Sequence, residues 1–181
     1  DYTRALALDP KYIKARISRG QARYAKGDLD GAIADYTRAL EIDPENARAW
    51  NNIGNARYKN KEWKKALSCY TRVLKIDPNS KLALNNRGLA RMVMGDPDGA
   101  IADYTRALAL DPKYIKARIS RGQARYAKGD LDGAIAYYTR SLEIDPENAR
   151  AWNNIGNARY KNKEWKKALS CYTRVLKIDP N

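Results

Sequence analysis

The chain is 181 residues long, with 35 Lys and Arg against 21 Asp and Glu, a net charge of +14, two Cys, and neither His nor Phe. Without His there is no Ser-His-Asp or Cys-His nucleophile pair, no His-ligated zinc and no imidazole pH switch, and two Cys cannot close a thiolate zinc site. Charged residues make up 31% of the chain, which leaves no apolar run near the roughly 18–20 residues of a membrane span, so the expectation is a folded, strongly basic, non-enzymatic protein with no cofactor and no membrane partner.

In chain order, Asp1–Leu8 reads as the end of a helix. The segment from Ile13 runs to Gly27-Asp28, a dipeptide that places a left-handed residue before an N-cap and so ends one helix and starts the next. Ala49, Trp50, Ile53 and Ala56 form an apolar stripe of helical period, and Ala66, Leu67, Tyr70, Val73 and Leu74 form the next. The Lys61-Glu62 and Lys163-Glu164 turns lack the Gly-Asp signal. Asn60 and Asn162 are expected to take the left-handed conformation there, in looser turns. Gly95-Asp96-Pro97 restores the signal and adds Pro at a first helical position. From Asp103 the opening sequence returns: residues 1–79 and 103–181 differ only where Asp35 becomes Tyr137 and Ala39 becomes Ser141.

The 102-residue offset is three units of 34, and the prolines of the Asp-Pro pairs (Pro10, Pro44, Pro78, Pro112, Pro146, Pro180) keep that spacing. In a unit starting at Ala47, Trp50 falls at position 4, Ile53 at 7, Gly54 at 8, Tyr58 at 12, Ala66 at 20, Tyr70 at 24, Val73 at 27 and Pro78 at 32. This register resembles the tetratricopeptide repeat. The resemblance implies an all-α fold, an α-solenoid in which antiparallel helix pairs (A then B) stack into a right-handed superhelix. Repeats fall at 13–46, 47–80, 81–114, 115–148 and 149–181 after a partial one at 1–12, in a single repeat domain over 1–181. Position 8 is always Gly and position 20 always Ala, which points to close approach of the paired backbones. Arg at position 7 in three repeats and at position 11 in all five departs from the family pattern, and the position-11 ladder is expected to lie along apolar surface beside acids. The chain starts partway along a B helix and ends without a polar capping helix, so the expectation is an excerpt of a longer chain or ends that pair with another molecule. The two near-identical blocks point to an engineered array or a very recent duplication.

The resemblance places positions 2, 5, 6, 9, 12 and 13 of the A helices on a concave peptide-binding groove. Those positions supply Asn51, Asn52, Asn55, Asn85, Asn86, Asn153, Asn154 and Asn157. An amide donates and accepts at once, which suits the backbone of an extended peptide. The family's carboxylate clamp is matched by Asn55, Asn86 and Lys116. Asn51 and Ser120 stand where two cations are needed, so a working clamp is not expected. Repeats 47–80 and 149–181 each carry a net +6, built around Lys59, Lys61, Lys64, Lys65 and their counterparts Lys161, Lys163, Lys166 and Lys167. They read first as solvated turns and second as attraction for an acidic partner. The expected partner is a protein or peptide of acidic character. The alternatives are a designed array without natural ligand, associating end to end as a homo-oligomer, and RNA reading, which the 34-residue register weighs against. Trp50, Trp63, Trp152 and Trp165 read as helix-packing residues. Cys69 and Cys171 read as unpaired buried thiols, consistent with a reducing, cytoplasmic setting.

Overall fold

A computed structural model of the chain describes residues 6, 8, 9 and 11–180. The helical fragment expected over 1–8 lies largely outside the described residues. Ten helices follow: α1 (Ile13–Lys26), α2 (Leu29–Ile42), α3 (Ala47–Lys59), α4 (Trp63–Ile76), α5 (Lys81–Val93), α6 (Pro97–Leu110), α7 (Ile115–Ala127), α8 (Leu131–Leu142), α9 (Ala149–Lys161) and α10 (Trp165–Ile178). There is no strand among the described residues. None of the helices is long and apolar enough to cross a membrane.

The chain divides into two compact units, 1–94 and 95–181, the division falling between the two helices of the repeat 81–114. In the first, α1 pairs with α2 and α3 with α4, α2 and α4 pack on the helices that follow them, and the A helices α1, α3 and α5 touch in succession. In the second, α6 packs on α7, α7 pairs with α8, α8 packs on α9 and α9 pairs with α10, with α7 touching α9.

Local sequence sets these elements. The Asp28, Asp96 and Asp130 carboxylates each accept the N–H three residues on, from Gly31, Gly99 and Gly133, at 2.9 Å. The Asn46 and Asn148 side chains cap α3 and α9 in the same way at 3.0 Å, satisfying one of the orphan donors of the first turn. At the other end, the Asp before each Pro is held extended by the ring that follows. Asp43 and Asp77 have ψ of 90° and 94°, and their carboxylates accept the N–H of Glu45 and Asn79. That is an Asx turn, and it stops the helix.

One expected turn is corrected. Asn60 and Asn162 keep negative φ, while Lys61 (φ 59°) and Lys163 (φ 60°) take the left-handed conformation. Lys61 lies one repeat on from Gly27 and inherits its role. The turn is no looser either: Lys61 N–H donates to Tyr58 O (3.0 Å) and Glu62 N–H to Arg57 O (2.9 Å), the bonds that Gly27 and Asp28 make to Tyr24 and Arg23.

The core of the first unit gathers Ile17, Ile33, Tyr36, Leu40, Ile53 and Cys69 around fully buried Ala32, Ala39, Ala49 and Ala56. In the second, Ile119, Tyr138, Ile155 and Cys171 do the same around Ala134 and Ala151. The glycine at position 8 answers to a side chain and not to the facing backbone: a methyl on Gly20, Gly54, Gly122 or Gly156 would lie 2.5 Å from Cε1 of Tyr36, Tyr70, Tyr138 or Tyr172. Each B-helix tyrosine therefore fills a notch in its partner A helix. Trp50 and Trp152 are half-buried and donate Nε1–H to Pro44 O and Pro146 O at 2.9 Å. Trp63 is half-buried, whereas Trp165 is 54% exposed and meets only the Tyr160 ring edge-on, at 4.9 Å, among its ring contacts. Both cysteines are free and buried, and burial pushes both thiols up.

Candidate functional site

Four of the asparagines expected on the groove converge in the first unit. Asn86, on α5, donates Nδ2–H to Asn51 Oδ1 and to Asn55 Oδ1, both at 3.2 Å across to α3. Asn85 Nδ2 donates to Asn86 Oδ1 at 3.4 Å. Tyr70, on α4, donates its hydroxyl to the same Asn55 oxygen at 2.9 Å. Burial pushes the Tyr70 phenol well up, so it stays protonated and keeps this donor role at neutral pH. Asn51 and Asn85 are themselves buried. They hold the network together, and they leave Asn55, which spends its oxygen on two donors, with its NH2 to offer.

These residues line a cleft. Tyr24, Asn55, Tyr58, Tyr70, Asn86 and Leu89 enclose about 140 Å³ in the first unit, and Gln123, Tyr126, Tyr138, Asn154 and Asn157 enclose about 290 Å³ in the second. Both clefts draw on positions 9, 12 and 24 of the repeat and on position 6 of the repeat after. Lys59 stands over the Tyr24 ring at 4.9 Å and Lys161 over the Tyr126 ring at 4.9 Å. Two lysines of the basic patches thus sit against the cleft tyrosines, where a cation gains from the ring quadrupole.

The remaining asparagines divide by their neighbours. Asn157 accepts the Tyr172 hydroxyl at 2.9 Å, the counterpart of the Asn55–Tyr70 bond. Asn52 and Asn154, at position 6, each have a buried Nδ2 with no partner. Asn86 at that position finds Asn51, but the residue equivalent to Asn51 in the preceding repeat is Ile17 for Asn52 and Ile119 for Asn154, which accept nothing. The equivalents of Asn55 there, Gln21 and Gln123, give their oxygens to Arg48 and Arg150. Asn153 is exposed. Lys116 is exposed in the first turn of α7 and is not among the residues lining the second cleft. Ser120, where a clamp cation is needed, is buried.

The tyrosines were not evident from the sequence as cleft walls, although Tyr24, Tyr58 and Tyr126 occupy position 12, which the resemblance places on the groove. Three arginines of the position-11 ladder meet acids: Arg57 pairs with Glu62 at 2.6 Å and Arg125 with Asp130 at 2.5 Å, while Arg23 stands 3.1 Å from Asp35. Among the described residues there is no group of three or more His, Cys, Asp or Glu placed to hold a metal.

The family model described as "Tetratricopeptide repeat" matches residues 47–80, 82–114 and 149–181, and one described as "TPR repeat" matches 20–61 and 122–163. The chain belongs to the tetratricopeptide-repeat family, a family of non-enzymatic scaffolds for protein–protein interaction, and its helix pairs are the helical solenoid units of that fold. No curated protein matches the chain. Among solved structures, the crystal structure of MamA protein is similar at 26% identity, with a TM-score of 0.78 over 93% of this chain and 92% of that one. YrrB, described as a TPR protein with an unusual peptide-binding site, is 24% identical with a TM-score of 0.74 over 99% and 93%. The pilF protein of Pseudomonas aeruginosa is 21% identical with a TM-score of 0.83 over 99% and 82%, so it shares the fold.

Proposed function

We propose that the protein binds an extended, acidic peptide segment along the face where successive A helices meet. In this reading Asn55, Asn86, Asn154 and Asn157 address the peptide backbone, and Lys59 and Lys161 meet its carboxylates. The observation that carries it is the recurrence of one tyrosine- and amide-walled cleft in both units, the second holding the buried, unpartnered Nδ2 of Asn154. A buried amide donor without an acceptor is destabilising by about 1–3 kcal/mol, and a peptide carbonyl relieves that. The cleft tyrosines supply flat apolar walls with a polar tip, suited to an extended chain whose side chains alternate.

Calorimetric titration with extended peptides, acidic and with each acid changed to its amide, tests this. Acidic peptides are expected to bind more tightly, and the advantage to shrink as salt is raised. Asn55→Ala and Asn154→Ala are each expected to weaken binding about five- to tenfold, the worth of one net hydrogen bond near 1 kcal/mol. Absence of binding by either peptide set, or silence of both Ala variants, would overturn the reading.

A further inference from the structure

The segments 1–79 and 103–181 differ at a single charged position, and the structure gives that difference a chemical meaning. In the first block Asp35, 3% exposed, is gripped by two arginines. Arg19 makes a two-pronged pair, Nε to Oδ2 at 2.9 Å and Nη2 to Oδ1 at 2.5 Å, and Arg23 Nη1 approaches Oδ2 at 3.1 Å. In the second block the aligned residue is Tyr137, and the aligned arginines, Arg121 and Arg125, lie over its ring with their guanidinium carbons 4.5 and 5.2 Å from the centroid.

An aromatic face attracts a cation but accepts no in-plane N–H, and carries no compensating charge. The Nε atoms of Arg118, Arg121 and Arg125 are all buried and without a partner. Three of the oxygens on these elements are otherwise engaged. Asp130 takes Arg125 Nη1 and caps α8, Pro112 O takes Arg118 Nη2, and Asp98 on α6 takes Lys128 at 2.5 Å. Arg140, on α8, adds a further cation nearby. The electrostatics reverse between the blocks: the bond to Asp35 raises the Arg19 guanidinium's pKa, while burial lowers that of Arg121 against an opposing push from Tyr137, and Arg125, Arg118 and Arg140 lower it further. Two or three converging guanidiniums with free N–H edges form the donor set that planar or tetrahedral oxyanions select.

We propose that Arg121 and Arg125, the counterparts of Arg19 and Arg23, with Arg118 alongside on α7, bind one external oxyanion, a carboxylate or phosphate group, in the role that the Asp35 side chain fills in the first block. The site is separate from the amide clefts and does not depend on what they bind.

Two single exchanges test it, each giving one segment the residue that the other carries at this position. The parent, Tyr137→Asp and Asp35→Tyr are titrated calorimetrically at constant low ionic strength with inorganic phosphate, with acetate, and with a short end-blocked peptide whose sole charge is one Asp. Circular dichroism checks the fold of each. The parent is expected to bind one oxyanion, Tyr137→Asp to bind about tenfold more weakly because its own carboxylate occupies the arginines, and Asp35→Tyr to gain a second site. Phosphate ahead of acetate assigns the site to free phosphate, and the peptide ahead of both assigns it to a partner's side chain. Equal binding by the parent and Tyr137→Asp would place the heat on the lysine patches and overturn the proposal, as would no binding to any of the three probes. Tyr137→Asp carries the decision by itself if Asp35→Tyr does not fold.

Discussion

At the scale of single residues, a turn that glycine makes freely is made twice by lysine. Lys61 and Lys163 hold φ near 60°, a conformation that is unfavourable by roughly 1–2 kcal/mol for a residue with a Cβ. Glycine there removes that strain but returns about 0.5–1 kcal/mol of backbone entropy to the unfolded chain. Lys61→Gly is therefore expected to stabilise by about 0.5–1 kcal/mol, read as a raised urea midpoint at unchanged slope. The position was legible in the sequence, since Lys61 stands 34 residues after Gly27. Residue preference favoured Asn60 instead; the repeat register outweighed it, and the Asn60 side chain bonds Glu62 at 2.8 Å. Glu62 itself accepts from Lys65, Asn60 and Arg57, which hold its carboxyl at about 2, below the usual carboxylate range. A folded pKa below the unfolded one means that Glu62 contributes stability above the unfolded value, lost as the pH falls through the folded one. The urea midpoint is expected to decline between about pH 5 and about pH 2, and Glu62→Gln to flatten that decline.

At the scale of the helix pair, the tyrosine-in-notch contact is the discriminating feature. Gly54→Ala gains up to about 1 kcal/mol of helix propensity. It also sets a methyl 2.5 Å from Tyr70 Cε1, and that ring is 2% exposed with nowhere to retreat. Overpacking of this kind is destabilising by about 1–3 kcal/mol. Thermal unfolding is expected to show a net loss, relieved in the double variant with Tyr70→Leu, which withdraws the ring. The sequence showed that positions 8 and 20 are invariantly small and placed the pair of helices correctly. It attributed the small residues to backbone contact because a periodic pattern shows where space is needed without showing what occupies it. The same gap explains the site. The asparagines at positions 5, 6 and 9 were readable as one face, yet the sequence did not reveal that Asn86 spends its amide on Asn51 and Asn55 while Asn154 spends its own on nothing. That contrast arises from Asn51 against Ile119, two residues that lie a repeat away from their effect.

At the scale of the whole molecule, the fold was legible because each level of the sequence agrees: cap, stripe, Asp-Pro stop and 34-residue period all specify the same helix pairs. The function is less so, because the proposed peptide and oxyanion contacts depend on which polar atoms are left over once the helices have satisfied one another. The exchange of Asp35 for Tyr137 is visible in the sequence, but its consequence is not until the arginines around it are located. The notch geometry reaches further than stability. It recurs at four hairpins with the same 2.5 Å spacing, so each of these modules carries its own lock and key and borrows nothing from its neighbours for that fit. Growth of such an array by copying one module needs no new interlock to be invented, which leaves its remaining positions at liberty to diverge.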